Sequence, residues 1–360
     1  MKTPNLFNYA TSELSQDAFL LWLLDWANPV YKDADEQLNA VAQEFVRFLL
    51  DKNKNDLQIE SVKCYKQLKN IDVLAIVNNV FAILIEDKTD TSEHDNQLTN
   101  YTQWLKNEGK KILNIENEPE LHCIYYKTGN ESYYYLNKLE KKYKNDHQDV
   151  AFKILLRSDI LNVLKEVFPS SLNPIFIDYV NHLQKIENQT QSYTKKSVSE
   201  WGSRAWQGFY LALEKCLNEK LNKEEDNWKL CKWINDPYND AWDFKLPKFS
   251  IKEDGSIKLY LYLQIESKNG YLSLKTYCNN PEEIQEGWSK HVAAIKAAIK
   301  NLQFSETSQR IAASKNTTIA YIKNFVSGET IKVDIIADRL LQLQCEISKI
   351  ASNLKDHNSK

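Results

Sequence analysis

Glycine and proline are scarce in this chain, eight of each in 360 residues. So few glycines leave no GxxxxGK and no GxGxxG stretch, which removes the backbone cradle that ATPases, kinases and dinucleotide-binding enzymes need for phosphates. Cysteine is equally dispersed: Cys64, Cys123, Cys216, Cys231, Cys278 and Cys345 form no CxxC pair. That spacing excludes a zinc signature and a small disulfide scaffold, and it favours reduced thiols in the cytoplasm. Long apolar runs are also missing. The longest, Ala18 to Leu24, is about a third of what a bilayer crossing needs, and Glu13 and Asp17 precede it where a signal peptide would be basic. No membrane partner, transmembrane helix or signal peptide is expected.

The sequence does carry a core: 42% of residues are hydrophobic and 26% are charged, which excludes wholesale disorder. Its length fits two domains, because a single core stops growing well before it. The net charge of -3 conceals an asymmetry. Residues 1–190 hold 21 Lys and Arg against 28 Asp and Glu, and residues 191–360 hold 25 against 21. An acidic half is a poor nucleic-acid platform, yet a metal site needs local carboxylates, so the balance alone does not decide.

Hydrophobic spacing predicts a helix through Asp17–Trp26, capped by Ser15 or Ser12, and an amphipathic helix over about 35–51. From Gln58 the period becomes two. Strands are expected at 59–67, 71–77 and 80–85, with Asn78-Asn79 as a turn, then a helix over 94–106 and a strand over 120–126. A further strand at 151–156 and helices at 159–167 and 173–186 would close a first domain, 1–190. Glu187–Lys196 is polar and aperiodic and reads as a linker. Beyond it, a helix over 198–221, strands near 244–251, 257–266 and 271–277, and helices over 281–302 and 333–354 make a smaller α+β domain, 191–360.

Chemistry concentrates in Asn70-Ile-Asp-Val-Leu-Ala-Ile-Val-Asn-Asn-Val-Phe-Ala-Ile-Leu-Ile-Glu-Asp-Lys-Thr89. Two apolar strands carry Asp72 at the start of one and Glu86, Asp87 and Lys88 at the end of the other, so a hairpin gathers all this charge at one end. Unlike charges beside a core are costly unless paired or bound to an ion. Register decides what they can do. A two-residue turn would set Asp72 against Ile85; a three-residue loop, Asn78–Val80, would set it against Glu86, on the face that also carries Lys88. Two carboxylates at that separation repel by about 4 kcal/mol at an effective dielectric near 20, and a divalent cation is the natural relief. With hard oxygen donors and no soft ligand, Mg2+ or Mn2+ is the expected cofactor, and Lys88 would serve an attacking water or a phosphate.

Asp72, thirteen intervening residues, then Glu86-x-Lys88 resembles the PD-(D/E)XK nuclease motif, and the helix, meander, helix, strand order is similar to that superfamily's restriction-endonuclease-like α-βββ-α-β core. Lys88-Thr89 followed by Gln97-Leu-Thr-Asn-Tyr101 resembles the D-x-K-T and QLxxY motifs of its RecB-type branch. Glu13-Leu-Ser-Gln-Asp-Ala-Phe-Leu-Leu-Trp-Leu-Leu resembles the opening segment of an uncharacterised bacterial branch. The resemblance covers about residues 10–160 and implies an α/β fold and hydrolysis of phosphodiesters, with DNA favoured as partner. It also implies that Asp72 and Glu86 hold the metal, that the Asp87 carbonyl completes the shell, and that Lys88, Gln97 and Tyr101 act on water and phosphate. Glu13, or else Glu44, would add a carboxylate from an early helix. Ile71 replaces the motif's proline. A stand-alone nuclease with an unfamiliar second domain suits genome defence. That domain is left to select substrate, self-associate or meet a protein partner.

Plainer readings compete. A strand ending in charges is often a solvated edge, and the same fold serves as a silent scaffold when its charged cluster is only a salt-bridge network; an RNA-directed nuclease is the nearer rival. His94 reads as a capping or surface residue. The tryptophans of the second half, Trp201, Trp206, Trp228, Trp233, Trp242 and Trp288, read as core sooner than as base-stacking platforms.

Overall fold

The computed structural model describes residues 4–10, 12–91, 97–146, 150–167, 173–221, 231–234, 241–250, 258–278, 292–293, 295–297, 299–306 and 316–357. The chain forms two compact units, one of residues 1–131 and 135–188, the other of 132–134 and 189–360. The architecture is α/β, with a mixed five-stranded sheet flanked by helices in the first unit and an antiparallel sheet in the second.

The first unit opens with α1 (Glu13–Trp26) and α2 (Glu36–Leu49). Helix α1 starts at Glu13, four residues before Asp17, because Ser12 adopts the extended N-cap conformation. Asp35 caps α2 by accepting the Leu38 N–H at 2.9 Å. Strands β1 (Val62–Lys66), β2 (Val73–Val77) and β3 (Phe81–Lys88) then form the antiparallel meander. Helix α3 (Gln97–Trp104) continues through a π-turn at Leu105–Gly109 into α4 (Lys110–Leu113). Strand β4 (Glu120–Lys127) returns parallel to β3; after α5 (Tyr133–Asp146), β5 (Ala151–Leu156) pairs parallel to β4. Helices α6 (Arg157–Val167) and α7 (Pro174–Thr190) complete the unit.

The sheet order is therefore β1-β2-β3-β4-β5, with both faces covered. One face, with Val73, Ala75, Val77, Ile83, Ile85, Ile124 and Tyr126, shares a core with α1, α2, α6 and α7. The other carries Leu74, Ile76, Leu84 and Tyr125, equally buried, on the side of α3. This double burial is why β2 and β3 read as continuous apolar runs.

The second unit contains α8 (Ser203–Lys220), β6 (Cys231–Ile234), β7 (Ala241–Ser250), β8 (Lys258–Glu266), β9 (Leu272–Cys278), β10 (Ser305–Glu306), β11 (Asn316–Ile322) and α9 (Val333–His357). Its sheet runs β10-β11-β9-β8-β7-β6, all antiparallel. Trp206, Phe209, Leu213 and Leu217 of α8 pack with Leu263, Ile265, Leu274 and Ile319 of the sheet. Trp201 and Trp206 are buried in edge-to-face contact at 4.9 Å, as core residues. Buried Glu214 of α8 accepts hydrogen bonds from Ser132 Oγ at 2.9 Å and the Tyr133 N–H at 3.0 Å, within this unit.

Two expectations change. The supposed linker 187–196 is helical: α7 runs to Thr190 and a 3-10 turn covers Gln191–Thr194. It has no glycine or proline to stop a helix, and Arg157 pins Glu187 at 2.9 Å. The helix foreseen from Val198 begins only at Ser203, after a 3-10 turn at Val198–Glu200 with Gly202 as N-cap. The helix over 281–302 falls largely outside the described residues, as do His94 and the side chains of Trp228, Trp233, Trp242 and Trp288. Among the described residues, no helix is long and apolar enough to cross a membrane.

Candidate active site

The β2–β3 register sets the site. Val77 pairs with Phe81 and Val73 with Ile85, so the connection is the three-residue loop Asn78–Val80, and continuing the ladder brings Asp72 opposite Glu86. Asn78 and Asn79 both adopt the left-handed conformation, at φ +54° and +55°, which asparagine tolerates better than most residues. The Asn78 side chain then locks the loop onto the chain before β1, accepting from the Glu60 N–H at 2.8 Å and donating to the Gln58 carbonyl at 2.7 Å.

Glu86 and Lys88, two apart on β3, point to the α3 face together with Asp72. Glu86 is wholly buried, and its Oε1 makes ion-pair contact with Lys88 Nζ. That ammonium lies 4.0 Å from Asp72 Oδ2, which also accepts the Asp87 N–H at 3.0 Å. Neither Glu86 oxygen has a hydrogen bond of ordinary geometry among the described residues. Burial, reinforced by the Asp72 charge, pushes the Glu86 carboxyl up to about 7. Burial also raises Asp72. On Lys88 burial acts downward, but Glu86 and Asp72 outweigh it and hold the ammonium above its usual range.

Gln97 and Tyr101 share one face of α3, as their spacing requires: Gln97 Nε2 donates to the Tyr101 hydroxyl at 3.3 Å. Tyr101 donates to the Asn70 carbonyl and lies beside Glu86, whose charge and the surrounding burial raise its pKa. Gln97 therefore meets Tyr101, and no hydrogen bond joins it to Lys88 among the described residues.

Asp87 faces the other way, toward α1. Gln16 Nε2 donates to its Oδ1, and Thr128 Oγ1 donates to Gln16 Oε1 at 2.9 Å. Asp17 sits beside it. Burial, with the Asp72 charge, lifts Asp17 to about 6, and burial drives Asp87 well above the carboxylate range. The Asp87 side chain is thus held away from Glu86, while its backbone stays within hydrogen-bond reach of Asp72.

Glu13 lies at the margin of the cluster. Its Oε1 accepts from the Thr89 N–H at 3.1 Å, Thr89 Oγ1 at 3.2 Å and Thr91 Oγ1 at 2.7 Å, so it clasps the segment that follows Lys88. Burial pushes its pKa up, but these hydrogen bonds prevail and lower it. Glu44 is not brought to the site; it pairs with Arg47 at 2.5 Å on α2.

Sequence reasoning overlooked Gln16, Asp17, Lys127 and Thr128. The first two were marked: Glu13, Gln16 and Asp17 recur at three and four residues on an otherwise apolar helix, which aims them at one place. Lys127 had no local signal. It is buried, in register with Lys88 across β3–β4, donates to the Thr91 carbonyl and lies 3.6 Å from Glu131. Gly129 completes this support, because a Cβ there would stand 1.9 Å from the Thr89 carbonyl oxygen. Gly129→Ala is expected to destabilise the fold by about 1–3 kcal/mol, measured by urea unfolding.

No group of three His, Cys, Asp or Glu side chains is arranged to hold a metal ion among the described residues. The donors fit a hard divalent cation nonetheless: two carboxylates share a face, and beyond its contact with Lys88 the buried one has no hydrogen bond of ordinary geometry among the described residues. Water would have to supply the rest of such a shell. The arrangement can bind a cation, orient water with an ammonium and hold a phosphate beside a phenol. No protein-family model, curated protein or solved structure matches the chain.

Proposed function

We infer that the chain is a metal-dependent nuclease of the PD-(D/E)XK, restriction-endonuclease-like kind, hydrolysing DNA phosphodiester bonds. One observation carries the reading: Asp72 falls opposite Glu86, with Lys88 Nζ between the two carboxylates. Asp72 and Glu86 would hold Mg2+ or Mn2+, and the resemblance adds the Asp87 carbonyl to that shell. The bound cation supplies Lewis acidity toward the phosphate and a lowered pKa for water. Lys88 orients the attacking water and stabilises charge gathering on the phosphate oxygens. Tyr101, fixed by Asn70 and Gln97, closes the α3 side against bulk water. Glu13 holds Thr89 and Thr91 and so fixes the backbone just after Lys88.

The test is cleavage of linear and circular, single- and double-stranded DNA, and of RNA, with Mg2+ or Mn2+. Lys88→Ala and chelator controls should both abolish it. Activity that persists in both would sink the proposal.

The Lys88–Glu86 contact also favours a second reading, a binding scaffold in which the ion pair is purely structural. Thermal melts separate the two. A nuclease gains about 2.7 kcal/mol of apparent stability at a cation concentration of 100 Kd, and Asp72→Asn or Glu86→Gln removes the gain. A scaffold melts at the same temperature with or without Mg2+.

A further inference from the structure

Strand β1 ends where the acidic cluster begins. Lys66, its last residue, pairs with Val73, the neighbour of Asp72. The chain then turns through Gln67–Asn70, and three of these four residues are left-handed: Gln67 at φ +48°, Lys69 at +56° and Asn70 at +65°. None is glycine, so the turn stores strain of the order of 1 kcal/mol or more per residue, which persists only where the surroundings enforce it. Here the Tyr101 hydroxyl grips the Asn70 carbonyl, and the Ile71 N–H closes on the Leu68 carbonyl at 3.1 Å.

The strained turn holds Lys66 and Lys69 exposed. Among the described residues neither has an ion-pair or hydrogen-bond partner, whereas Lys63 on the same strand is bonded to Asn79 at 3.3 Å and Lys88 is engaged by Glu86. Between Glu60 and Asp72 the sequence has three lysines and no carboxylate, inside the acidic half of the chain. A polyanion approaching this end of the sheet meets half-buried Glu13 and Asp72, and the ammonium of Lys88 is already occupied. Attraction has to come from nearby cations without partners.

We propose that Lys66 and Lys69 form the phosphate-tracking surface of the site, holding the backbone of duplex DNA beside the strand that reaches Asp72, Glu86 and Lys88. The proposal rests on the nuclease reading and specifies where its substrate lies.

The experiment is fluorescence anisotropy of a labelled DNA duplex in chelator across a salt series, with steady-state cleavage in Mg2+ alongside. For the double variant K66A/K69A the slope of log affinity against log salt should become shallower by about two, and affinity should fall on the order of tenfold at ~0.1 M salt. KM should rise while kcat stays within about twofold, since these lysines position the substrate and do not touch the reacting atoms. The charge-keeping K66R/K69R should restore both. K52A/K54A, at the opposite end of the sheet where Lys52 lies over Phe81, serves as control and should change neither. K66A/K69A and K66R/K69R should melt with the parent, because those two side chains are exposed.

Cleavage by the parent with an unchanged salt slope and KM in K66A/K69A would overturn the surface and leave the nuclease standing. An equal loss in K52A/K54A would also overturn it, as diffuse attraction. A parent that binds no nucleic acid would overturn both readings.

Discussion

Glu86→Gln should be more stable than the parent at pH 8, by about 3 kcal/mol, and inactive. The sign follows from the proton. The Glu86 carboxyl ordinarily titrates near 4.5 and burial lifts it to about 7, so the folded state holds that proton more tightly than the unfolded chain does. Its stabilising contribution is complete below pH 4.5 and is lost as pH rises through 7. Above pH 7 the fold bears an ionised carboxylate with no solvent contact and Asp72 opposite. Glutamine has the same shape without the charge, and Lys88 keeps Asp72 at 4.0 Å. Urea unfolding between pH 5 and 9 reads the result: the parent should lose more stability across pH 7 than the variant, which keeps the slopes contributed by Asp17 near pH 6 and by Asp87. Identical slopes would refute the assignment. Added Mg2+ should restore the parent at pH 8 and leave the variant unmoved, because the charge that destabilises the empty fold is the charge that binds a cation. Such a trade of stability against activity is what a built functional site shows.

Much of this was legible in one dimension. Helix α2 and the meander declared themselves by period, β4 by its apolar and aromatic residues, and the double-sided burial of β2 and β3 by unbroken apolar runs. The hairpin register was not. Asn78-Asn79 suits a two-residue turn and a three-residue loop alike, and the choice is made by the hydrogen bonds that Asn78 donates to Gln58 and accepts from Glu60, whose positions in sequence carry no mark of the contact. Strand β11 escaped for a different reason. A bulge between Thr318 and Ala320 puts Ile319 and Ala320 both in the core, which breaks the alternation that identifies strands. In the site, residue types foretold which side chains gather better than what each one touches. The cluster Asp72, Glu86, Lys88, Gln97 and Tyr101 comes together, but Glu13, preferred to Glu44 because its surrounding sequence resembles the family's opening segment, is by geometry a clasp for Thr89 and Thr91. Spacing along a chain reports which face a side chain occupies, and it cannot report which donors wait there.

Lys88→Ala should lower cleavage by at least two to three orders of magnitude, the range expected when a preorganised cation or proton-handling group is removed from a reacting phosphate. Its effect on stability separates a catalytic lysine from a structural one. Removing Nζ leaves Asp72 and Glu86 facing each other, a repulsion of about 4 kcal/mol at an effective dielectric near 20 if both stay ionised. Glu86, already at about 7, escapes this by taking up a proton. The variant should therefore fold nearly as well as the parent at pH 5, lose stability at pH 8, and recover there with Mg2+, since a cation between two carboxylates does what the ammonium did. Lys88→Arg should not rescue cleavage: a guanidinium is longer and fixes its donors in a planar fork, so it does not fit the space beside Glu86 or place a single ammonium there. If Lys88→Ala instead melts early at every pH and Mg2+ changes nothing, the ammonium is only the central tie of an ion-pair network, and the two carboxylates hold no metal.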